Sequence, residues 1–117
     1  MKYVDGFVLA IPTTSRDSYQ KFALEMAQVF KRYGALNVVE CWGNEVPDGQ
    51  ITSFPMAVKC QADETVVFSW VLWPSKSVRD QAHPQMMQDP LFDFTNNPMP
   101  FDGKRMIYGG FEMIVDE

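Results

Sequence analysis

The sequence predicts an α+β domain in which a four-stranded antiparallel sheet carries two helices on one face. Three observations lead there: apolar residues fill strand-like segments with a period of two, they recur at helical spacing elsewhere, and the segments follow one another as strand, helix, strand, strand, helix, strand. This βαββαβ order is that of a ferredoxin-like sandwich. Two helices cover only one face of such a sheet, yet its central strands are apolar on both. The second face is therefore expected to meet that of another copy, giving a homodimer whose paired sheets enclose a barrel-like interior, a dimeric α+β barrel. With 117 residues and no repeat, low-complexity tract or linker, the chain is expected to be a single domain over residues 1–117.

The first strand is predicted over residues 3–11, with Tyr3, Asp5, Phe7, Leu9 and Ile11 on one face and Val4, Gly6, Val8 and Ala10 on the other. Pro12 ends it. Thr13, Thr14 and Ser15 offer N-cap hydroxyls to a helix marked by Tyr19, Phe22, Ala23, Met26, Val29, Phe30 and Tyr33. Asp17 and the pair Lys31-Arg32 suit the two ends of its dipole, and Gly34 supplies the stop. A second strand is expected within residues 35–46, with Leu36, Val38, Glu40 and Trp42 on one face, before the turn Pro47-Asp48-Gly49. Residues 50–65 admit a short helix or a short strand; a helical turn is the reading adopted. Val66 to Trp73 is apolar on both faces and rich in β-branched and aromatic residues, which marks a buried strand.

Pro74 stops that strand, and Ser75 or Ser77 can cap the second helix, with Asp80 in a capping-box-like position relative to Ser77. Pro84 is expected to kink this helix near His83 or make it restart. Residues 89–103 carry three prolines and are expected to form a loop with one helical turn around Leu91 to Phe94. The last strand is expected from Lys104 to about Asp116.

Composition narrows the function. Fifteen acids against ten bases leave a net charge of -5, which argues against a nucleic-acid partner, because that affinity comes largely from clustered cations. No apolar run approaches the roughly 20 residues that span a bilayer, and no basic region precedes an apolar stretch at the N-terminus, so a cytoplasmic protein without a membrane partner is expected. Cys41 and Cys60, 19 residues apart with no CxxC, are expected as thiols, and with the lone His83 they offer too few ligands for a metal. No cofactor is implied.

Several motifs together carry a family resemblance: Val39-Glu40-Cys41-Trp42, Val46-Pro47-Asp48-Gly49, Val66-Val67-Phe68-Ser69-Trp70, Pro74-Ser75-Lys76 with Arg79-Asp80, and above all the run Met99-Pro100-Phe101-Asp102-Gly103-Lys104-Arg105-Met106-Ile107-Tyr108-Gly109-Gly110-Phe111-Glu112. With Met1-Lys2-Tyr3-Val4-Asp5-Gly6-Phe7 at the start, nearly the whole chain resembles the YbaA-like bacterial proteins, domain of unknown function 1428. The resemblance implies a dimeric α+β barrel, a superfamily that includes cofactor-free monooxygenases, haem-degrading enzymes and small isomerases. It supplies no catalytic residues. Gln81-Ala82-His83-Pro84 departs from the family pattern, so no role passes to His83 or Pro84.

The candidate chemistry comes from the residues themselves. If the strands stack in the order 4-1-3-2, the first and last are neighbours and Asp5 can approach Glu112; two carboxylates in a partly dry site would form an acid-base pair, and the alternative is that one or both are solvated or paired with a base. Glu40 is a third acid within a strand. Trp42, Phe68, Trp70 and Tyr108 are the candidate lining of an apolar pocket for a small apolar or aromatic ligand, or else core or dimer interface. Lys104 and Arg105 are candidate anion contacts at the Asp102-Gly103 turn; the alternative pairs Arg105 with an acid such as Asp80 or Asp102. Gly109-Gly110 is expected to mark a bulge or a close approach of another backbone. The functional alternatives are a small-molecule binder or cofactor-free enzyme, and a non-catalytic dimer that serves assembly or partner binding.

Overall fold

In the computed structural model, which describes residues 1–117, the chain runs β1 (Tyr3–Pro12), α1 (Arg16–Arg32), β2 (Asn37–Trp42), α2 (Phe54–Ala57), β3 (Glu64–Trp73), α3 (Lys76–Met86) and β4 (Ile107–Glu112). The strands form one open sheet in the order β2-β3-β1-β4, with every neighbouring pair antiparallel. The fold is therefore α+β, with a four-stranded antiparallel sheet and three helices.

The register decides which side chains share a face. Tyr3 opposes Trp73 and Glu112, Leu9 opposes Val67, and Trp42 also opposes Val67. The odd-numbered residues of β1 and β3 thus point the same way as the even-numbered residues of β2 and β4. This face packs beneath α1 and α3 in two clusters. One joins Tyr3, Val71 and Trp73 to Val29, Ala82 and Met86; the other joins Leu9, Ile11 and Val67 to Tyr19 and Ala23. The opposite face is covered only at one end, where Val58, just after α2, packs on Val8, Ala10 and Val66. The Cα trace measures 38 × 38 × 20 Å, a slab two layers thick. Helices are accordingly not confined to one face as expected, since α2 lies against the second.

Local chemistry explains the element ends. Gly34, at φ +117°, terminates α1: its N–H donates to the Lys31 carbonyl and the Ala35 N–H to the Phe30 carbonyl, a Schellman closure that a Cβ would strain. The N-terminus of α1 departs from expectation. Thr13–Ser15 forms a 3-10 turn and Ser15 makes no side-chain cap, while the Thr13 hydroxyl bonds that of Thr65 at 2.7 Å. In α3 the cap is Ser75, whose Oγ accepts from the Val78 N–H, and Asp80 joins Lys76 and Arg79 instead of capping. Pro84 sits within α3, which continues to Met86 without restarting. The expected helical turns are α2 and a 3-10 turn at Pro90–Phe92.

Both outer strands are shorter than expected. β4 begins only at Ile107 because Gly103–Arg105 is a 3-10 turn, and its ladder with β1 ends at Tyr3–Glu112. That ladder is continuous, so Gly109-Gly110 is not a bulge. The close approach at Gly110 is made by a side chain: a Cβ there would lie 2.8 Å from Cζ of the Tyr3 ring. Gly110→Ala should therefore cost about 2 kcal/mol, because the added methyl must displace the buried Tyr3 ring. Urea unfolding checks this, and a loss below about 0.5 kcal/mol would show that the Tyr3 ring shifts freely.

Candidate functional site

The stretch of α1 from Arg16 to Ala27 lies over β2 at the sheet edge, and the gap between them is a cleft of about 370 Å³ lined mainly by apolar side chains. This is within the size range of small-molecule sites. Leu24 and Val38 help form its walls, while Arg16, Tyr19, Glu40 and Trp42 bring its principal chemistry. Tyr19 belongs to the buried stripe of α1, and its hydroxyl reaches across to donate to Oε1 of Glu40 at 2.6 Å. Glu40 stands on the helix-facing side of β2, directly opposite Ser69 of β3. The Arg16 guanidinium carbon lies 5.5 Å from the centre of the Trp42 ring, a cation–π contact at the mouth.

The electrostatics of this pair are unusual. Glu40 is an exposed residue of β2, and Oε1 of its carboxyl is the atom that the buried Tyr19 holds. Desolvation raises its pKa above the usual 4.5 and outweighs the hydrogen bonds from Tyr19 and Ser69, which pull it down. Burial, reinforced by the charge and hydrogen bond of Glu40, pushes the Tyr19 phenol well above its ordinary 10, so it remains a donor. A carboxylate has about four lone-pair positions, and the Tyr19 hydroxyl fills one of them, which leaves capacity for a ligand N–H, O–H or acidic C–H.

A raised carboxyl pKa has a definite sign in stability. The folded state holds the Glu40 proton more tightly than the unfolded chain, so this contribution is complete below the ordinary carboxylate pKa and is lost as pH rises through the folded value. Glu40→Gln removes that titration. Its stability relative to the parent should climb as pH is raised from about 4 to about 7. A difference between the two unfolding curves that is flat in pH would contradict it.

The other candidate residues are dispersed. Asp5 and Glu112 are on the same sheet face, but Asp5 opposes Gly110 while Glu112 opposes Tyr3. The Asp5 carboxylate accepts from Trp73 Nε1 at 3.0 Å and from Arg79 at 2.8 and 3.1 Å, whereas Glu112 is exposed. The two are diagonal neighbours, and it is Trp73 and Arg79 that hold the Asp5 carboxylate. The four aromatics also separate: Trp42 and Tyr108 lie on the helix-facing side, Phe68 and Trp70 on the other, with Tyr108 at the β4 edge stacked on Phe7. Only Trp42 lines the cleft.

The Asp102 turn already contains its own anion. The Lys104 N–H and Arg105 Nε donate to the Asp102 carboxylate, and Arg105 forms a two-pronged pair with Glu64 at 2.7 Å on each oxygen. The Arg105 guanidinium is thus committed to fixing this turn on β3. Lys104 is exposed. Cys41 and Cys60 are free thiols, no group of three metal-ligating side chains occurs, and no helix is long and apolar enough to cross a membrane. Tyr19 and Arg16 are the site residues that sequence reasoning missed. An aromatic residue at helical spacing signals core, and an arginine beside Asp17 signals a solvated helix end; neither carries a mark of the cleft.

The family described as "Protein of unknown function (DUF1428)" matches residues 2–103. The chain is 57% identical to "Uncharacterized protein YbaA" of Escherichia coli strain K12 over 117 residues, covering all of both chains. The likeness to "Uncharacterized protein YbaA" of Shigella flexneri has the same identity and full coverage.

Proposed function

The chain belongs to the DUF1428 family, and within it we propose a small-molecule protein whose site is the cleft between α1 and β2, with Glu40 as its acid-base residue. The observation that carries this reading is the Tyr19–Glu40 hydrogen bond inside an apolar-walled cleft. A carboxyl group with a raised pKa, held by a phenol that stays protonated, is suited to taking a proton from a bound molecule and returning it elsewhere on that molecule. Such a transfer balances without a cofactor. Trp42 and the aliphatic residues of α1 supply an environment for an apolar or aromatic body. The acid-base role falls to Glu40 rather than to Asp5 and Glu112, because Asp5 is tied to Trp73 and Arg79.

The setting we propose is a ferredoxin-like homodimer of the α+β barrel type, joined through the sheet face that α2 leaves bare. A second reading, assembly alone, is favoured by the exposed Phe68, Ile107 and Phe111 on that face. Thermal-shift measurements with quinones, flavins, haem and small aromatic acids separate the two. A ligand should raise the parent's melting temperature, and Glu40→Gln or Tyr19→Phe should weaken that effect. No stabilisation across the panel, or equal stabilisation of all three proteins, would favour assembly.

A further inference from the structure

We infer that the α1–β2 cleft takes small monocarboxylates with an apolar or aromatic body and a hydrogen-bond donor at the far end, and that Arg16 recognises the carboxylate. This rests on the cleft reading and adds the ligand's charge and orientation. The first argument is an inventory of guanidinium groups. Arg32 pairs with Asp89, Arg79 with Asp5 and Asp80, and Arg105 with Glu64 and Asp102. Arg16 alone among the arginines has no acidic partner, although the chain carries fifteen acids to ten bases. Its guanidinium lies over the Trp42 ring.

Position supplies the second argument. Arg16 is the first residue of α1, where a cation opposes the helix dipole and an anion would be favoured. Local helix stability therefore gives no reason for the guanidinium, and Ser15 puts no side-chain oxygen over the first-turn N–H groups. A bound carboxylate would meet both the Arg16 fork and the positive end of α1.

The rest of the cleft sets the remainder of the ligand. Leu24 is 58% exposed within an otherwise apolar wall, a surface that an aromatic or aliphatic body would cover. Glu40 would repel a second anion and accept from a hydroxyl, with Tyr19 already holding one of its oxygens. One carboxylate and one donor, separated by an apolar body, match this distribution.

The probes are para-hydroxyphenylacetate and its neutral amide, para-hydroxyphenylacetamide, followed by NMR amide-shift titration of the full chain. The parent should bind the acid about tenfold or more tightly than the amide, as a charge-assisted hydrogen-bond pair implies, with shifts concentrated on α1 and β2. Arg16→Gln should abolish that preference, so that the acid binds no more tightly than the amide to the same variant; the exposed side chain makes a folding defect no part of the expectation. Equal affinities in the parent, or a preference that survives in Arg16→Gln, would overturn the carboxylate assignment and leave the cleft standing. Shifts from neither compound on α1 or β2 would overturn both this assignment and its premise.

Discussion

Arg79→Ala should destabilise the protein by about 3 kcal/mol, because it strips a buried carboxylate of its charged partner. Asp5 is 8% exposed in the middle of the sheet, and the Arg79 fork reaches it from α3 with Nε at 3.1 Å and Nη2 at 2.8 Å. Without that fork, Trp73 Nε1 is the remaining side-chain donor to Asp5, while Tyr3 loses the guanidinium lying 5.5 Å from its ring centre. Desolvation has already been incurred by the fold, so removing one partner exposes its full cost. Removing both is different: Asp5→Leu with Arg79→Met leaves no buried charge and should be less destabilised than Arg79→Ala alone. Asp5→Asn should fall between the parent and Arg79→Ala, since the amide oxygen still accepts. Urea unfolding of the series tests the order. A loss below about 1 kcal/mol for Arg79→Ala would mean that water replaces the guanidinium and that Asp5 is effectively solvated.

The contrast between Asp5 and Glu40 shows what could be read from the chain alone. β1, α1 and β3 were legible because their apolar periods persist over many residues and their ends carry Pro12, Gly34 and Pro74. Within each strand, alternation placed Asp5 with Tyr3 and Phe7, and Glu40 with Val38 and Trp42. Alternation does not say which face of one strand aligns with which face of the next. That depends on register, and a shift of one residue exchanges the faces. The pairs Cys41–Phe68 and Trp42–Val67 put Phe68 and Trp70 opposite to Trp42, which divides the expected aromatic pocket. Partners distant in sequence were equally hidden. Asp5 and Arg79 are 74 residues apart, and Tyr19 and Glu40 are 21 apart on different elements. Their chemistry exists only once α1 and α3 lie on the sheet.

Phe111→Glu should break the homodimer we propose for this chain, the largest effect expected of any substitution on the bare sheet face. Val4, Leu72, Trp70, Phe68, Ile107 and Phe111 share this face, with Phe68 and Ile107 each 44% exposed and Phe111 59% exposed. An apolar expanse across three adjacent strands is more than scattered surface hydrophobicity, and a self-complementary partner would cover it. The tilt of Phe68 toward Phe54 and Trp70, with ring centres 5.9 and 5.6 Å apart, shows that α2 shields one end and stops there. In a twofold dimer each substitution counts twice. Losing the burial of two phenylalanine rings costs about 4 kcal/mol, or about a thousandfold in the dimer constant, before the charge is considered. Sedimentation velocity at micromolar concentration should find the parent dimeric, Phe111→Glu monomeric and Gln28→Glu, on exposed α1 surface, still dimeric; retained cooperative unfolding separates dissociation from misfolding. A monomeric parent, or a Phe111→Glu protein that stays dimeric, would remove this face as the assembly surface. The cleft would be untouched, because it lies on the opposite side of the sheet between elements of one chain.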